Sequence, residues 1–238
     1  MNHLAVVGCG GLGTPAVALL GRIAPPETRF TLIDDDCVDL SNLPRQPLYG
    51  TADIGHPKAE AAAKRMRDAD SRRDVRAHRA RLTRENAAEL LADAEILLDG
   101  TDSLKTKLLL NELAIERRTP LVHAGVLGLD GQLTTILPGE TACLRCLFAE
   151  VPEEEDLPTC QQAGVLGPVV GAVGLAIARE ASFLLRGERP PCAGRFSILD
   201  GASLRWRALE MRHRTECPVC GGLAVSPAHG EDHANPRR

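Results

Sequence analysis

Aromatic side chains are scarce in this chain: one tryptophan, one tyrosine and four phenylalanines among 238 residues. With 44% of the residues hydrophobic, a sizeable core is affordable, but it must be mostly aliphatic. A basic excess is also missing. Lys and Arg number 28 against 32 Asp and Glu, a formal net charge of −4, which gives no footing for nucleic acid or an anionic membrane surface. No basic segment opens the chain, whose first apolar run passes straight into glycines, so a signal peptide is not expected. Long apolar runs are lacking too. The longest uncharged segment, Leu157 to Ala178, is interrupted by Pro158, Pro168 and several glycines and glutamines, and reads as a buried or interface segment rather than a membrane span. Internal repeats are absent. Eight cysteines with no export signal point to metal or reactive thiols in a cytoplasmic protein, not to structural disulfides.

What the chain does have is concentrated near its start. The apolar run Leu4–Val7 meets Gly8, Gly10, Gly11 and Gly13, a helical pattern follows, and a second apolar run, Phe30–Ile33, ends in Asp34. Strand, tight turn, helix and strand make the first half of a dinucleotide-type βαβ unit. Gly8 lets the turn close, Gly10 lets backbone approach a phosphate, and Gly13 lets helix pack on strand. Pro15 suits the first helical turn, where its missing N–H costs nothing, and the helix N-terminus is an anion site. Asp34 stands roughly twenty residues beyond the glycines, where such a unit places a carboxylate for ribose hydroxyls. The same glycines also serve a purely structural turn.

Beyond Asp34 the stretch to Glu60 is too polar and too rich in Pro and Gly for one element. It reads as a long loop folding back over the glycines, with a helix resuming near Lys58. Strands are expected at Val75–Ala80, Ile96–Asp99, Leu121–Ala124 and Gly131–Leu137, with helices over Ala59–Met66, Glu85–Leu91 and Ser103–Glu116. The last of these carries Leu104, Leu108, Ala114 and Ile115 near one face. Later strands near Phe196–Leu199 and Leu204–Leu209 follow without crossovers of similar size. The fold class is therefore α/β: a Rossmann-like, doubly wound, mainly parallel sheet with an antiparallel extension. One domain is expected over 1–223, with a disordered tail over 224–238.

Cys143 and Cys146 form one CxxC pair, and Cys217 and Cys220 a second about 70 residues later. Each pair offers two thiolates from one knuckle, and two knuckles complete a tetrahedral four-sulfur zinc site with no position left for water. Such a site is structural, clamps the chain's end to its middle and contributes folding free energy directly. Redox activity is the rival use of a single CxxC.

In order along the chain stand GCGGLG at Gly8–Gly13, Asp34-Asp35-Asp36, SNLPRQ at Ser41–Gln46, Gly55-His56-Pro57-Lys58 and Gly100-Thr101-Asp102. Gly131-Gln132, the two cysteine pairs and Thr159-Cys160 complete the series, with Ala163–Pro168 following. From about Leu4 to Gly221 this resembles the ThiF/MoeB/HesA family, bacterial relatives of ubiquitin-activating enzymes. The resemblance implies ATP-dependent adenylation of the C-terminal Gly-Gly carboxylate of a small β-grasp sulfur-carrier protein, with magnesium, and release of pyrophosphate. It assigns Asp34 to the ribose, Arg45, Lys58 and Asn42 to the phosphates, and Asp102 to magnesium. Arg45's fork can grip two phosphate oxygens at once. Asp36 belongs to the same pattern, as an ATP contact or as a turn residue, and Asp102 can also cap the helix at Ser103. Cys160 falls where some members form a thioester or acyl-disulfide with the carrier and others do not. Its acidic neighbours, Glu153 to Asp156, work against a thiolate and are most simply a solvated loop. Cys9, Cys37 and Cys192 read as packing thiols.

The resemblance also implies a homodimer. Family members usually begin with a helix whose arginine reaches ATP in the partner subunit; this sequence starts three residues before its first strand. That arginine is therefore expected to be replaced by another residue, to be supplied by another protein, or to lie before this start. Ser103 and Lys107 stand where Asn and Arg are usual, and no rhodanese domain follows the cysteines, so a separate sulfur donor is implied. Other readings of the same residues are a peptide-adenylating member, a non-catalytic nucleotide-binding scaffold and an NAD-dependent oxidoreductase.

Overall fold

The computed structural model describes residues 2–151 and 164–223. Cys160, the acidic run Glu153–Asp156 and the tail 224–238 lie outside the described residues. The elements run β1 (His3–Val7), α1 (Gly13–Ile23), β2 (Arg29–Ile33), α2 (Lys58–Ala69), β3 (Val75–His78), α3 (Ala87–Leu90), β4 (Ile96–Asp99) and α4 (Leu104–Arg117). They continue with β5 (Leu121–Leu127), β6 (Asp130–Ile136), α5 (Leu144–Leu147), α6 (Gly167–Leu185), β7 (Arg195–Asp200) and β8 (Arg205–Glu210). One sheet of eight strands has the order β3-β2-β1-β4-β5-β6-β7-β8. The first five in that order pair in parallel, and the last three join antiparallel. The sequence-derived fold class is the observed one.

From β1 the chain winds to β2 and β3 on one side and then crosses to β4 and β5 on the other. The carboxyl ends of β1 and β4 therefore diverge at a topological switch point, where open α/β sheets bind ligands. Here three glycines touch backbone to backbone. Gly8 has φ +91°, in the left-handed region. A Cβ on Gly13 would lie 2.0 Å from the Gly8 carbonyl oxygen, and one on Gly100 would lie 2.5 Å from it. No side chain fits between these turns.

Two cores flank the sheet. Val6, Val17, Leu20, Leu32, Val122 and Ile177 lie in the one under α1, α2 and α6; Val7, Leu97, Leu110, Ala114, Ile136 and all four paired cysteines lie in the other. Helix α6 was not legible as a helix, because its glycines and Pro168 dilute the pattern. It packs against α1, β5 and β6. It is the one helix among the described residues long and apolar enough to cross a membrane, and more than half of it is buried in the protein.

Helix α4 meets expectation in part: Ala114 and Ile115 of the expected face are buried. Lys107, Leu110, Asn111 and Ala114 are buried, while Leu104 and Leu108 are only partly so. An apolar-period count misses this face because two of its residues, one turn apart, are polar.

Gly13→Ala should destabilise the fold by at least about 3 kcal/mol through over-packing, read as a lowered urea midpoint. Gly171, in α6, would meet nothing within 4 Å on gaining a Cβ. Gly171→Ala should raise the midpoint, by roughly 0.5–1 kcal/mol of helix propensity.

Candidate nucleotide and metal sites

The turn after β1 is held from three sides. Asp34, at the end of β2, accepts the Cys9 N–H at 2.7 Å and the Asp36 N–H at 2.9 Å. Burial pushes its carboxyl up in pKa, against the pull of those two N–H groups. Its two oxygens therefore shape the glycine turn. Tyr49, the chain's single tyrosine, sets its hydroxyl between the Cys9 carbonyl at 2.8 Å and the Lys58 carbonyl at 3.0 Å. It ties the glycine turn to the start of α2. Nothing local in the sequence marks this contact, which spans 40 residues.

The polar loop after Asp34 contains two 3-10 turns, Leu40–Arg45 and Thr51–Asp53. Asp39 caps the first by accepting the Ser41 N–H at 2.8 Å. This turn lays SNLPRQ against the glycines. A Cβ on Gly11 would lie 3.5 Å from the Arg45 carbonyl oxygen, and one on Gly10 would lie 3.8 Å from Gln46 Nε2. Gln46 is buried and donates to Asn42 Oδ1 at 2.9 Å, fixing that amide. Arg45 donates from Nη1 to the Ser41 carbonyl at 3.0 Å, and no other hydrogen bond of its fork is seen among the described residues.

Lys58 is 6% exposed and donates to Asp36 Oδ2 at 2.5 Å. The roles left open for Asp36 acquire a definite content here: it holds the lysine, and its Oδ1 accepts the Cys37 N–H at 3.1 Å. Burial raises its pKa, but the Lys58 ammonium outweighs that and the net shift is downward. Asp102 stands exposed on the turn after β4. It is not the helix cap, which is Ser103, accepting the Thr106 N–H at 3.4 Å.

Under that turn lies a group of residues the sequence reading missed. Asp99 is fully buried, and its Oδ1 accepts the Thr101 N–H at 3.0 Å and the Thr101 hydroxyl at 2.7 Å. Lys107 Nζ lies 3.2 Å from Oδ2 and 2.5 Å from the Ala124 carbonyl, and His123 Nδ1 lies 2.7 Å from Oδ2. Burial drives the Asp99 pKa up, yet the Lys107 charge and the His123 and Thr101 hydrogen bonds outweigh it and hold it at about 2. An ionised carboxylate only accepts, so Nδ1 of His123 carries the proton. The signal available in the sequence was a lysine near the start of a helical pattern, four residues before an asparagine.

The four paired cysteines come together, all buried, with their sulfurs within 4.8 Å of one another. Cys143 and Cys217 sulfurs are 3.7 Å apart, and those of Cys146 and Cys220 are 3.3 Å apart. Tetrahedral zinc, with Zn–S of about 2.3 Å, sets its sulfurs about 3.8 Å apart, so the cluster fits that ion. Burial pushes the Cys143 thiol up to about 11; a full set of thiolates here needs a cation's charge. The Arg214 N–H points at Cys146 Sγ from 3.4 Å.

The sequence matches the model of the ThiF family over residues 1–219. The chain belongs to the ThiF family. Among similar proteins, the sulfur carrier protein ThiS adenylyltransferase of Escherichia coli (strain K12) is 39% identical over 227 residues, covering 95% of this chain and 88% of that one. The SAMP-activating enzyme E1 of Haloferax volcanii is 37% identical, covering 98% and 85%. In fold, the ThiF-family chain resembles E. coli MccB, whose crystal structure with ATP superposes with TM-score 0.79 at 19% identity, over 92% of this chain and 67% of that one.

Burial lowers the pKa of His123 below the usual 6.5, outweighing the Asp99 carboxylate, and lowers that of His3 likewise. Both histidines protonate in the unfolded chain before they do in the folded one. Stability should fall on acidification below about pH 6.5, by up to about 1.4 kcal/mol per pH unit per histidine. Below about pH 4 the loss of the Asp99 contribution follows. Urea midpoints from pH 7 to 5 should show this slope, flattened by close to one proton in His123→Gln. An unchanged slope in the variant would contradict the assignment.

Proposed function

We propose that the chain catalyses ATP-dependent adenylation of the C-terminal Gly-Gly carboxylate of a small ubiquitin-like sulfur-carrier protein. The observation that carries this is the convergence of Arg45, Asn42, Lys58 and Asp34 on the glycine turn at the switch point, with the Asp102 turn facing it across the Gly8–Gly100 contact. The names of the relatives that match nearly the whole chain, adenylyltransferases and activating enzymes of such carriers, support the reaction class.

In this reading the carrier's carboxylate oxygen attacks the α-phosphorus of ATP. The bond from that phosphorus to the bridging oxygen breaks, and pyrophosphate leaves with the electron pair. Attacker and triphosphate are both anionic, so the barrier is dominated by charge repulsion, and fixed cations lower it. Asp34 binds the ribose. Arg45 and Lys58 meet the phosphates, Asn42 contributes an amide contact, and the N-terminus of α1 adds its dipole. Asp102 would hold magnesium, which when bound neutralises phosphate charge. No covalent enzyme residue is needed in this step; positioning does the work. A thiol step at Cys160 would come after it. The names of these relatives and the four-cysteine cluster, for which a nicotinamide-dependent reaction has no use, disfavour that alternative.

The same reading makes residues 1–223 one catalytic domain with zinc at the four cysteines, acting in the cytoplasm as a homodimer with a separate sulfur donor.

ATP–pyrophosphate exchange with magnesium should depend on a carrier ending in Gly-Gly and vanish when the last glycine is deleted. Arg45→Ala should cut exchange by roughly 10²-fold or more with the fold intact, and Cys160→Ser should leave it unchanged. Binding of ATP without exchange on any carrier would favour a peptide substrate, and absence of both would leave a scaffold.

A further inference from the structure

Helix α4 makes two buried polar contacts from one face, a single turn apart. Lys107 reaches the Asp99 carboxylate beneath the Gly100-Thr101-Asp102 turn. Four residues on, Asn111 is fully buried, and its Oδ1 accepts the backbone N–H of Leu144 at 2.9 Å. Leu144 follows Cys143 directly, and its amide opens the short helix that returns the chain to Cys146, whose N–H bonds to the Cys143 carbonyl at 3.0 Å. The N–H groups of a helix's first turn have no partners within it. Asn111 supplies one from outside, across 33 residues of sequence.

We infer that Asn111 is a positioning residue for the metal knuckle, and that through α4 it ties metal occupancy to the order of the Gly100-Thr101-Asp102 turn. An asparagine is costly at this place. Its Nδ2 has no hydrogen-bond partner among the described residues, and a buried donor left unmet destabilises the fold. An apolar residue would fill the same space more favourably, so the acceptor to Leu144 is the contribution left to justify the amide. The geometry of that acceptor fixes where Cys143 presents its sulfur. The other end of the same rigid turn fixes Lys107, and through Asp99 the Thr101 amide and hydroxyl. Two discrete contacts on one helical turn form a physical connection between the sites, in which each can bias the other. The importance of the Asp102 turn rests on the proposed reaction, but the connection is testable without nucleotide.

Amide hydrogen exchange on the full chain tests it, with and without zinc, the metal being withdrawn by a chromogenic chelator that also reports its release. Stripping zinc from the wild-type chain should lower protection of the Thr101 amide by roughly tenfold or more, the signature of local opening. The amides of β2 and β3, on the far side of the sheet, should keep theirs. In Asn111→Ala, zinc release should quicken by about tenfold, the scale seen when a partner behind a metal ligand is lost. Thr101 should then lose protection even while zinc is bound. Unchanged Thr101 protection on stripping would overturn the connection, as would loss of protection across β2 and β3 at the same rate, which signals global unfolding. Unchanged zinc release in the variant would overturn the role of Asn111. If the variant does not fold, the wild-type experiment still decides the connection. Failure of ATP–pyrophosphate exchange would count against the proposed reaction alone, because no arm here contains ATP.

Discussion

The contact of three glycine backbones at the ends of β1 and β4 sets the dimensions of everything around it. Gly8, Gly13 and Gly100 approach so closely that a single Cβ at any of them would overlap a neighbouring main chain. That closeness brings the N-terminus of α1 and the turn after β4 to opposite walls of one narrow crevice. The loop from Asp34 to Lys58 then folds over the top, held down by contacts to the glycine turn itself: Cys9 to Asp34, Cys9 to Tyr49, and Gly11 against Arg45. Separate the strands by the width of one methyl and these contacts lose their common reference point.

The features legible in the sequence were those whose physics is local or whose spacing is rigid. A strand running into glycines must turn, and two CxxC pairs can meet around one ion; both readings agree with the structure. Strand positions were found because short aliphatic runs such as Ile96–Leu98 leave little else to do. Illegible were the features in which a polar residue occupies an apolar place. Lys107 and Asn111 on α4 broke the apolar period, so that Ala114 and Ile115 of the expected face are buried while Leu104 and Leu108 are only partly so. Helix α6 escaped notice because its glycines, of which Gly174 and Gly167 are needed for close packing, carry the opposite local propensity. Tyr49 and Gln46 bind across the loop through contacts that depend on its two 3-10 turns, which no periodicity announces.

Asp99 shows how such a misfit is tolerated. Removing a carboxylate and an ammonium from water costs more than their attraction returns unless further hydrogen bonds complete both groups. Here Thr101 supplies two donors, His123 a third, and Ala124 an acceptor for Lys107. The reward is placement: three chain segments, the end of β4, the middle of β5 and the first turn of α4, are referred to one buried anion. An apolar replacement could match the volume but would leave Thr101, and the turn it belongs to, with no fixed orientation. Specificity of geometry, rather than net stability, is what the arrangement supplies.

A similar economy governs the upper side of the crevice. Lys58 is nearly fully buried, and a buried ammonium needs a partner in every state of the protein. In the free chain that partner is Asp36, whose side chain is 67% exposed while that of the lysine is 7% exposed. The aspartate can turn into solvent at little cost; the lysine cannot. In the proposed reaction an arriving phosphate oxygen therefore replaces one anion with another at Lys58, and the released carboxylate is hydrated. Binding then avoids exposing an unpaired cation, while a more buried aspartate would have held the lysine too well to yield it. In the proposed reaction, the asymmetry of exposure in this one ion pair lets the same lysine serve as both a structural and a phosphate-binding residue.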